Sequence, residues 1–441
     1  TVAFTGNGTA GNPLSAESEA LYNDFTETLA GDIIKRVDFY TGVDVNYREV
    51  QNWYDGTVMT DAKLDNVIFI KRETKYYKRE FAGALNLKWF GAVGNGTADD
   101  SSAVVKFFNL VNGLKSEWLV PVGRYLVSQS FEIKQSGNCD GVFLMKKVDS
   151  DVIISMPRND VAVSSVLTNL NKGDVDLGIS GNFNVFLDSD EILIERLGAA
   201  SYKKNEFVRI FNGKSSTPIV NSYGNVTANK FISSDNIVIS NLKIEIVGTD
   251  KNSDRYLDIS RDNVQLLDLN IQNKTFLSLV SAINISNCAD VELVRPQIEG
   301  FSADGSGYGI ANYTTLGLKV IDAKITKCRH AYTGRNTVDV YLNRGIYSDV
   351  IDDHWADRFT AENVKVSSPA GTAAFQFAGN DVTLKDCSVS GFSRSFFAIR
   401  IDTPNLGGDV KITNPVFESL STDDIYFFSF TTPNGSQTLP T

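Results

Sequence analysis

The sequence predicts an all-β fold, a solenoid of stacked parallel β-helix coils, because one short pattern recurs seven times. Each copy begins at an apolar residue, with apolar residues two and seven places later and a polar residue four places later. Period-two alternation predicts a strand, and the polar fourth place predicts a bend. Such a repeat without a helix signal is typical of solenoids. The copies start at Ile237, Val264, Val291, Leu318, Phe359, Val382 and Val410, at spacings of 27, 27, 27, 41, 23 and 28 residues.

The first region, residues 1–84, differs from the repeats and reads as a connector. Residues 6–15 (GNGTAGNPLS) are rich in turn formers. A short helix is predicted through Glu17–Leu21. Residues 65–71 and 75–79 alternate as the two strands of a hairpin, with the turn near residues 72–74.

The second region, residues 85–130, combines a glycine-rich phrase, a helix and a strand. The phrase is FGAVGNGTADD at residues 90–100, and PVGRY follows at residues 121–125 before a strand. Asp99 or Asp100 is expected to cap the helix rather than to catalyse. Apolar residues at helical spacing predict the helix between the two phrases: Ala103, Val104, Phe107, Phe108 and Val111.

These two phrases resemble those of the pectate-lyase-like right-handed parallel β-helix family, especially phage tailspikes and capsular polysaccharide depolymerases. The resemblance implies that residues 85–130 cap the N-terminal end of the solenoid, whose first coil would otherwise expose strand edges. Residues 131–420 are then the β-helix, with irregular early coils over 128–230 that include a strand at 174–180. Residues 421–441 are expected to form a C-terminal cap or tail. The resemblance also implies a homotrimer, joined to other virion tail or baseplate proteins through residues 1–84.

Composition excludes several classes of function. The chain has 42 basic and 53 acidic residues, a net charge of -11, which argues against a nucleic-acid partner. No apolar run reaches membrane-spanning length, and the first residues do not resemble a signal peptide, so no membrane insertion is expected. The cysteines show no metal-type spacing, which predicts neither a disulfide framework nor a metal or other cofactor. They are Cys139, Cys288, Cys328 and Cys387.

The 41-residue spacing from Leu318 to Phe359 is interpreted as an enlarged coil, and the candidate site lies in it. Both histidines of the chain fall there, on either side of the inserted residues. Arg329-His330-Ala331 followed by Asp352-Asp353-His354 is similar to a pattern in phage β-helix proteins. The predicted catalytic residues are Asp352, Asp353, His330 and His354. The predicted substrate-binding residues are Arg329, Arg335, Asp339, Arg344 and Trp355.

Two reactions fit these residue types. Paired carboxylates such as Asp352 and Asp353 hydrolyse glycosidic bonds as acid and base or as nucleophile. Alternatively, a base removes the proton beside a uronate carboxylate while an arginine neutralises that carboxylate, which is β-elimination. A structural interpretation also stands, in which His330 pairs with Asp352 inside a polar stack. Trp355 is either a platform for a sugar ring or an apolar turn residue.

The resemblance and the residues together predict a phage tailspike in the virion tail. It would bind bacterial surface polysaccharide, capsule or O-antigen, and cleave it during adsorption, with hydrolysis favoured over elimination. One alternative is a receptor-binding tail protein that holds polysaccharide without cutting it. Another is a bacterial polysaccharide lyase.

Overall fold

The computed structural model describes most of the chain from residue 33 onward. The described ranges are 33–38, 41–148, 151–158, 161–167, 191–196, 206–211, 214–215, 226–231, 235–248, 255–275, 281–302, 307–368, 373–391, 395–400, 409–420, 426–432 and 435–437. The predicted helix at Glu17–Leu21 lies outside them. The chain divides into two compact units: residues 1–152 with 242–244, and residues 153–241 with 245–441.

The first unit begins with a small antiparallel sheet. Its strands are β1 (Ile33–Val37), β2 (Asp44–Val50), β3 (Phe69–Arg72) and β4 (Lys75–Arg79), in the spatial order β1-β2-β4-β3. The predicted hairpin is confirmed, since β3 pairs with β4 across a turn in which Glu73 has a φ of 51°. The core of this sheet consists of Ile34, Tyr47, Ile70 and Tyr77.

The rest of the first unit carries the glycine-rich phrase, the helix and short parallel strands. The predicted helix is confirmed as α1 (Ser101–Leu114), with 3-10 turns at Asp61–Lys63 and Leu87–Phe90. The strands are β5 (Leu85–Asn86), β6 (Asn95–Asp99), β7 (Trp118–Val120), β8 (Arg124–Val127), β9 (Phe131–Glu132), β10 (Gly137–Cys139) and β11 (Val142–Met145). Strands β5, β7 and β10 pair in parallel, and so do β6, β8 and β11.

The two aspartates before α1 have separate structural roles. Asp99 Oδ1 accepts a hydrogen bond from the backbone N–H of Ser101 at 2.9 Å, inside the first turn. Asp100 occupies the N-cap position, but its carboxylate accepts from the N–H groups of Val93 (2.6 Å) and Gly94 (3.0 Å). Asp99 therefore caps the helix, and Asp100 fixes the glycine-rich loop. The role of this region as the cap of the solenoid stays a prediction.

The second unit contains the parallel β-helix, which confirms the fold predicted from the repeat. One column of strands starts the coils, a second follows each bend, and a third completes each coil. The first column contains β18 (Ile237–Ser240), β21 (Val264–Leu267), β24 (Val291–Val294), β27 (Lys319–Ile321) and β36 (Val410–Thr413). The second contains β19 (Lys243–Ile246), β22 (Asn270–Asn273), β25 (Gln297–Glu299), β28 (Lys324–Thr326), β30 (Ile346–Ser348), β32 (Lys365–Ser368), β34 (Ser388–Gly391) and β37 (Val416–Ser419).

In the later coils the strand of the third column runs into the first strand of the next coil. The third column contains β12 (Ile154–Pro157), β20 (Arg255–Ser260), β23 (Ser281–Ala289), β26 (Tyr308–Leu316), β29 (His330–Asn343), β31 (Val350–Glu362), β33 (Ala373–Lys385), β35 (Ser395–Arg400) and β38 (Tyr426–Thr432). The long strands β29 and β31, of 14 and 13 residues, supply strands to both columns. The residues of interest in these strands therefore stack on neighbouring coils.

The 41-residue coil predicted from the sequence is wrong, because the segment forms two short coils. Val320 pairs with Leu342, and Leu342 pairs with Ala361. Equivalent turn residues are 22 positions apart at Asp322 and Arg344, and 19 apart at Asp339 and Arg358. The missed copy starts at Val340, with Leu342, Arg344 and Tyr347 in the places of the pattern. These coils are short because β29 and β31 each continue from the third column into the first column as one strand, with no loop between the two.

The polar fourth place of each repeat forms the bend, as predicted. Its residues adopt the left-handed conformation, with φ between 49° and 59°. Asn and Asp tolerate this conformation better than most residues, which explains their frequency there. The column consists of Asn241, Asp268, Arg295, Asp322, Arg344, Asn363, Asp386 and Asn414.

The described strands between residues 161 and 231 do not form the irregular coils predicted for this region, and this part of the sequence prediction is corrected. The described strands pair antiparallel as a separate sheet: β13 (Val161–Leu167), β14 (Glu191–Arg196), β15 (Glu206–Phe211), β16 (Lys214–Ser215) and β17 (Val226–Phe231). Leu193 of this sheet packs against Ala289, Leu316 and Val338 of the coils. This sheet is therefore inserted in sequence between the coil strands β12 and β18. The strand predicted at 174–180 lies outside the described residues.

Within the C-terminal region 421–441, one described strand continues the parallel pairing of the coils, and the role of the region as a cap or tail stays a prediction. Strand β38 (Tyr426–Thr432) pairs in parallel with β35, and β39 (Gly435–Gln437) turns back antiparallel on it. The four cysteines are buried free thiols, and Cys387 is a core residue as predicted. No helix in the described ranges is long and apolar enough to cross a membrane.

Candidate functional site

Asp352 lies between the two histidines of the chain, on two consecutive coils. Strand β29 begins at His330 and pairs in parallel with β31, which places Thr333 opposite Asp352. His330 Nδ1 lies 2.8 Å from Asp352 Oδ1, and His354 Nε2 lies 3.4 Å from Asp352 Oδ2. The Asp352 side chain is 0% exposed, against 14% for His330 and 27% for His354. The histidines therefore separate the carboxylate from solvent.

The histidines also set the charge of Asp352. Burial raises the pKa of this carboxyl, but the charge of His330 and the hydrogen bonds from both histidines outweigh burial and hold the pKa below its usual value. Asp352 is therefore ionised at neutral pH. An ionised carboxylate at Nδ1 favours the tautomer that carries its proton there, so Nε2 of His330 becomes the basic nitrogen.

Asp349 is a second buried acid near His330, and its pKa is shifted in the opposite direction to that of Asp352. It precedes β31, and Val350, the next residue, is the Cα partner of His330. Burial raises the pKa of Asp349 to about 6, although the positive charge of His330 lowers it. Its φ is 85°, and its backbone N–H donates to Ser367 O at 2.8 Å. A carboxyl with this pKa holds a proton at mildly acidic pH.

Tyr308 and Arg329 lie on the other side of His330. The Tyr308 ring meets the His330 ring edge-on, with centroids 5.5 Å apart and an interplanar angle of 76°. Arg329 Nη1 donates to Tyr308 Oη at 3.1 Å, and Arg329 Cζ lies 5.8 Å from the ring centroid. The predicted residue Arg329 thus contacts Tyr308, which in turn contacts His330.

Asp353 is adjacent to Asp352 in sequence but points to the opposite face of β31, since side chains alternate along a strand. Its Oδ2 accepts from Thr337 Oγ1 at 2.6 Å and from Tyr332 Oη at 3.1 Å. Asn312 donates to the same tyrosine hydroxyl at 3.0 Å. Asp353, Thr337 and Asn312 are fully or almost fully buried. The structure therefore does not bring Asp352 and Asp353 together as a pair of carboxylates facing one substrate.

The other predicted substrate-binding residues lie elsewhere on the coils. Asp339 accepts two hydrogen bonds from Arg358, from Nε at 2.6 Å and from Nη2 at 2.9 Å. Arg344 donates in the same bidentate manner to Asp322, at 2.8 and 3.0 Å. Both pairs join turn residues of neighbouring coils.

The remaining predicted substrate-binding residues are Arg335 and Trp355. Arg335 is half-buried, and its Cα partner on the preceding coil is Tyr313. Trp355 is a residue of β31, but its side chain is outside what the structure describes.

Sequence reasoning did not select Tyr308 or Asp349. Tyr308 is the register partner of His330 on the preceding coil, which becomes visible only when the 41-residue spacing is divided into two coils. Asp349 is one of several acids in this segment, and nothing in its sequence context marks it as buried. Over the described ranges, no group of three or more His, Cys, Asp and Glu side chains has an arrangement suited to a metal ion.

Comparison with known proteins gives few matches in sequence and several in structure. No protein-family model matches this chain. A stretch of 83 residues, 18% of this chain, is 34% identical to an uncharacterized 65.4 kDa protein in the cps region of Klebsiella pneumoniae. The matching stretch spans 14% of the length of that protein.

Similar solved structures include phage tailspikes, the class that the sequence phrases resemble. The Gp54 tailspike of Acinetobacter baumannii bacteriophage AP22, solved in complex with A. baumannii capsular saccharide, is 12% identical, with 79% of this chain and 68% of that chain covered and a TM-score of 0.47. The tailspike gp61 of Pseudomonas phage phi297 is 11% identical, with 80% and 78% covered and a TM-score of 0.47. The surface adhesin PfbA of Streptococcus pneumoniae is 13% identical, with 81% and 95% covered and a TM-score of 0.35.

Proposed function

We propose that this chain is a phage tailspike protein that binds a bacterial surface polysaccharide and cleaves it during adsorption to the host. The observation that carries the proposal is the buried, ionised Asp352 held between His330 and His354. A carboxylate that fixes the tautomer of a partly exposed histidine is the arrangement used for general base catalysis. If the contact between His330 and Asp352 were only structural, nothing would require Nε2 of His330 to be the basic nitrogen.

The proposed reaction is hydrolysis of a glycosidic bond. Nε2 of His330 accepts a proton from water as the water oxygen bonds to the anomeric carbon. The bond from that carbon to the leaving sugar oxygen breaks, and Asp349 supplies the proton that the oxygen needs. Asp349 suits this role because its pKa of about 6 keeps a fraction protonated near neutral pH. Asp353 has no direct part, because it faces the opposite side of the strand.

β-Elimination is the second candidate, and the position of Arg329 favours it. In that reaction Nε2 of His330 removes the proton next to a uronate carboxylate, and the leaving oxygen departs from the adjacent carbon with formation of a double bond. Arg329 would neutralise the carboxylate, and Tyr308, which contacts both Arg329 and His330, would protonate the leaving oxygen. The two reactions differ in their products.

The test is incubation of the full chain with a panel of purified bacterial capsular and O-antigen polysaccharides, followed by sizing of the products. Shorter chains with new reducing ends and no added ultraviolet absorbance indicate hydrolysis. Shorter chains with the absorbance of an unsaturated sugar indicate elimination. A polysaccharide that is bound but never shortened would support the receptor-binding alternative and contradict cleavage.

Residues 1–84 are proposed to attach the protein to other tail or baseplate proteins of the virion, and the chain is proposed to act as a homotrimer. The first proposal is supported by the separate antiparallel sheet β1–β4, which differs from the coils in its strand pairing. A copurification of residues 1–84 with isolated tails, but not of residues 85–441, would support this attachment. Equal recovery of both would contradict it.

A further inference from the structure

Arg329 is an exposed arginine, next to His330 in the sequence, whose backbone and side chain are both held by hydrogen bonds. Its backbone N–H donates to Gly307 O at 2.9 Å and to Phe301 O at 3.1 Å. Its guanidinium donates to the Tyr308 hydroxyl at 3.1 Å. Tyr308 in turn contacts His330 edge-on. Tyr308 therefore links the Arg329 guanidinium to the His330 ring.

Arg329 differs from neighbouring arginines in what it binds. Arg295, Arg344 and Arg358 each donate through two nitrogens to an aspartate of an adjacent coil. In the part of the chain that the structure describes, Arg329 belongs to no ion pair. A guanidinium has five N–H donors in a fork that matches a carboxylate. One hydrogen bond to a tyrosine leaves most of these donors available to a ligand.

The charges around Arg329 also favour an anionic ligand. The Asp352 side chain is fully buried and contacts both histidines, so it does not compete for the exposed guanidinium. Lys327, two residues before Arg329, is already paired with Glu299 at 2.5 Å. Arginine rather than lysine at this position suits a planar anion such as a carboxylate, because both oxygens can accept hydrogen bonds at once.

We infer that Arg329, supported by Tyr308, binds the carboxylate of an acidic sugar, so that the substrate is a polysaccharide containing uronic acid or another carboxylated residue. The inference rests on the proposed function, which it narrows to one class of polymer. It applies to hydrolysis and to elimination equally, since either reaction can take place next to a bound carboxylate. A neutral polymer would offer the guanidinium no anionic group to bind.

The test uses the full chain and each polysaccharide that it binds or shortens, in native form and after chemical reduction of its carboxyl groups to alcohols. The expected result is that carboxyl reduction weakens binding by roughly ten- to hundredfold, the value of a charged hydrogen-bonded contact. Arg329→Gln should weaken binding of the native polymer by the same factor. For this variant, carboxyl reduction of the polymer should cause no further loss of affinity. Arg329→Lys should recover part of the loss.

The matched control is Arg295→Gln, an exposed arginine that is bound to Asp268 away from the histidine pair. It should bind both polymers as the unmodified protein does. Equal binding of native and reduced polymer, or selection of neutral polysaccharides from the panel, would overturn the inference while the proposed function stands. Binding of no polysaccharide at all would contradict the proposed function and the inference together.

Discussion

At the scale of single residues, the chemistry depends on which side of a strand each side chain occupies. Asp352 and Asp353 are neighbours, yet one contacts two histidines and the other a buried tyrosine and threonine. The contact between His330 and Asp352 could be predicted, since their motifs fall on successive coils. The predicted pairing of Asp352 with Asp353 could have been rejected from the sequence alone, because the side chains of adjacent residues in a strand point to opposite faces.

The two histidines should contribute unequally to turnover. His330 lies 2.8 Å from Asp352 and His354 lies 3.4 Å from it. His330→Gln should lower kcat by about 10² to 10⁴, the usual contribution of a general base. His354→Gln should cost less, because His330 would still be oriented. Steady-state rates on one polysaccharide measure both, and a larger loss for His354→Gln would contradict the assignment of His330 as the base.

Asp349 should make stability depend on pH. Its pKa is raised from 3.8 to about 6 in the folded state, so folded protein binds the proton more tightly. The favourable contribution of the protonated acid is complete below pH 3.8 and is lost as pH rises through 6. Asp349→Asn should abolish this loss, which amounts to about 3 kcal/mol at most.

Urea denaturation of both proteins at mildly acidic and neutral pH measures the effect. Relative to Asp349→Asn, the unmodified protein should become less stable as the pH rises. Asparagine tolerates the positive φ of this position, so the substitution should not strain the backbone. Parallel stability curves for the two proteins would contradict the raised pKa.

At the scale of elements, the solenoid could be predicted because each coil repeats the same apolar alternation and polar bend. The copy at Val340 was missed because the coil before it and its own coil are shortened to 22 and 19 residues. The inserted sheet was missed for a different reason. Antiparallel strands such as β13 and β14 have the same period-two alternation as coil strands, and the alternation does not show which partner a strand has.

The packing between β29 and β31 should require glycine at residue 334. A Cβ added to Gly334 would lie 1.9 Å from Asp353 Oδ2 and 2.7 Å from Tyr332 Oη. Gly334→Ala should therefore displace the buried carboxylate and lower the free energy of unfolding by about 2–5 kcal/mol. Urea denaturation measures the change.

Gly83→Ala is the comparison variant, since no atom lies within 4 Å of its added Cβ and its φ is +78°. It should cost only backbone strain, about 1–2 kcal/mol. Equal losses for the two variants would contradict the close contact at Asp353.

At the scale of the whole molecule, the scaffold and the candidate site are formed by different parts of the sequence. The regular coils arise from the repeat, while the histidines, Asp349 and Arg329 lie in the short coils that interrupt its spacing. The proposed homotrimer belongs to this scale as well. Light scattering of the purified full chain should give about three times the 48.4 kDa mass of one chain. A mass of one chain at micromolar concentration would contradict the trimer.

We propose that Asp352, acting through His330, is required for cleavage of a surface polysaccharide. The most direct measurement compares depolymerisation by the unmodified protein and by Asp352→Asn on the same purified polymer, with binding measured in parallel. Asp268→Asn, at an exposed turn, is the matched control. Turnover should fall by about 10² to 10⁴ in Asp352→Asn while binding persists, because the amide no longer favours the active tautomer of His330. Undiminished cleavage by Asp352→Asn would contradict the claim.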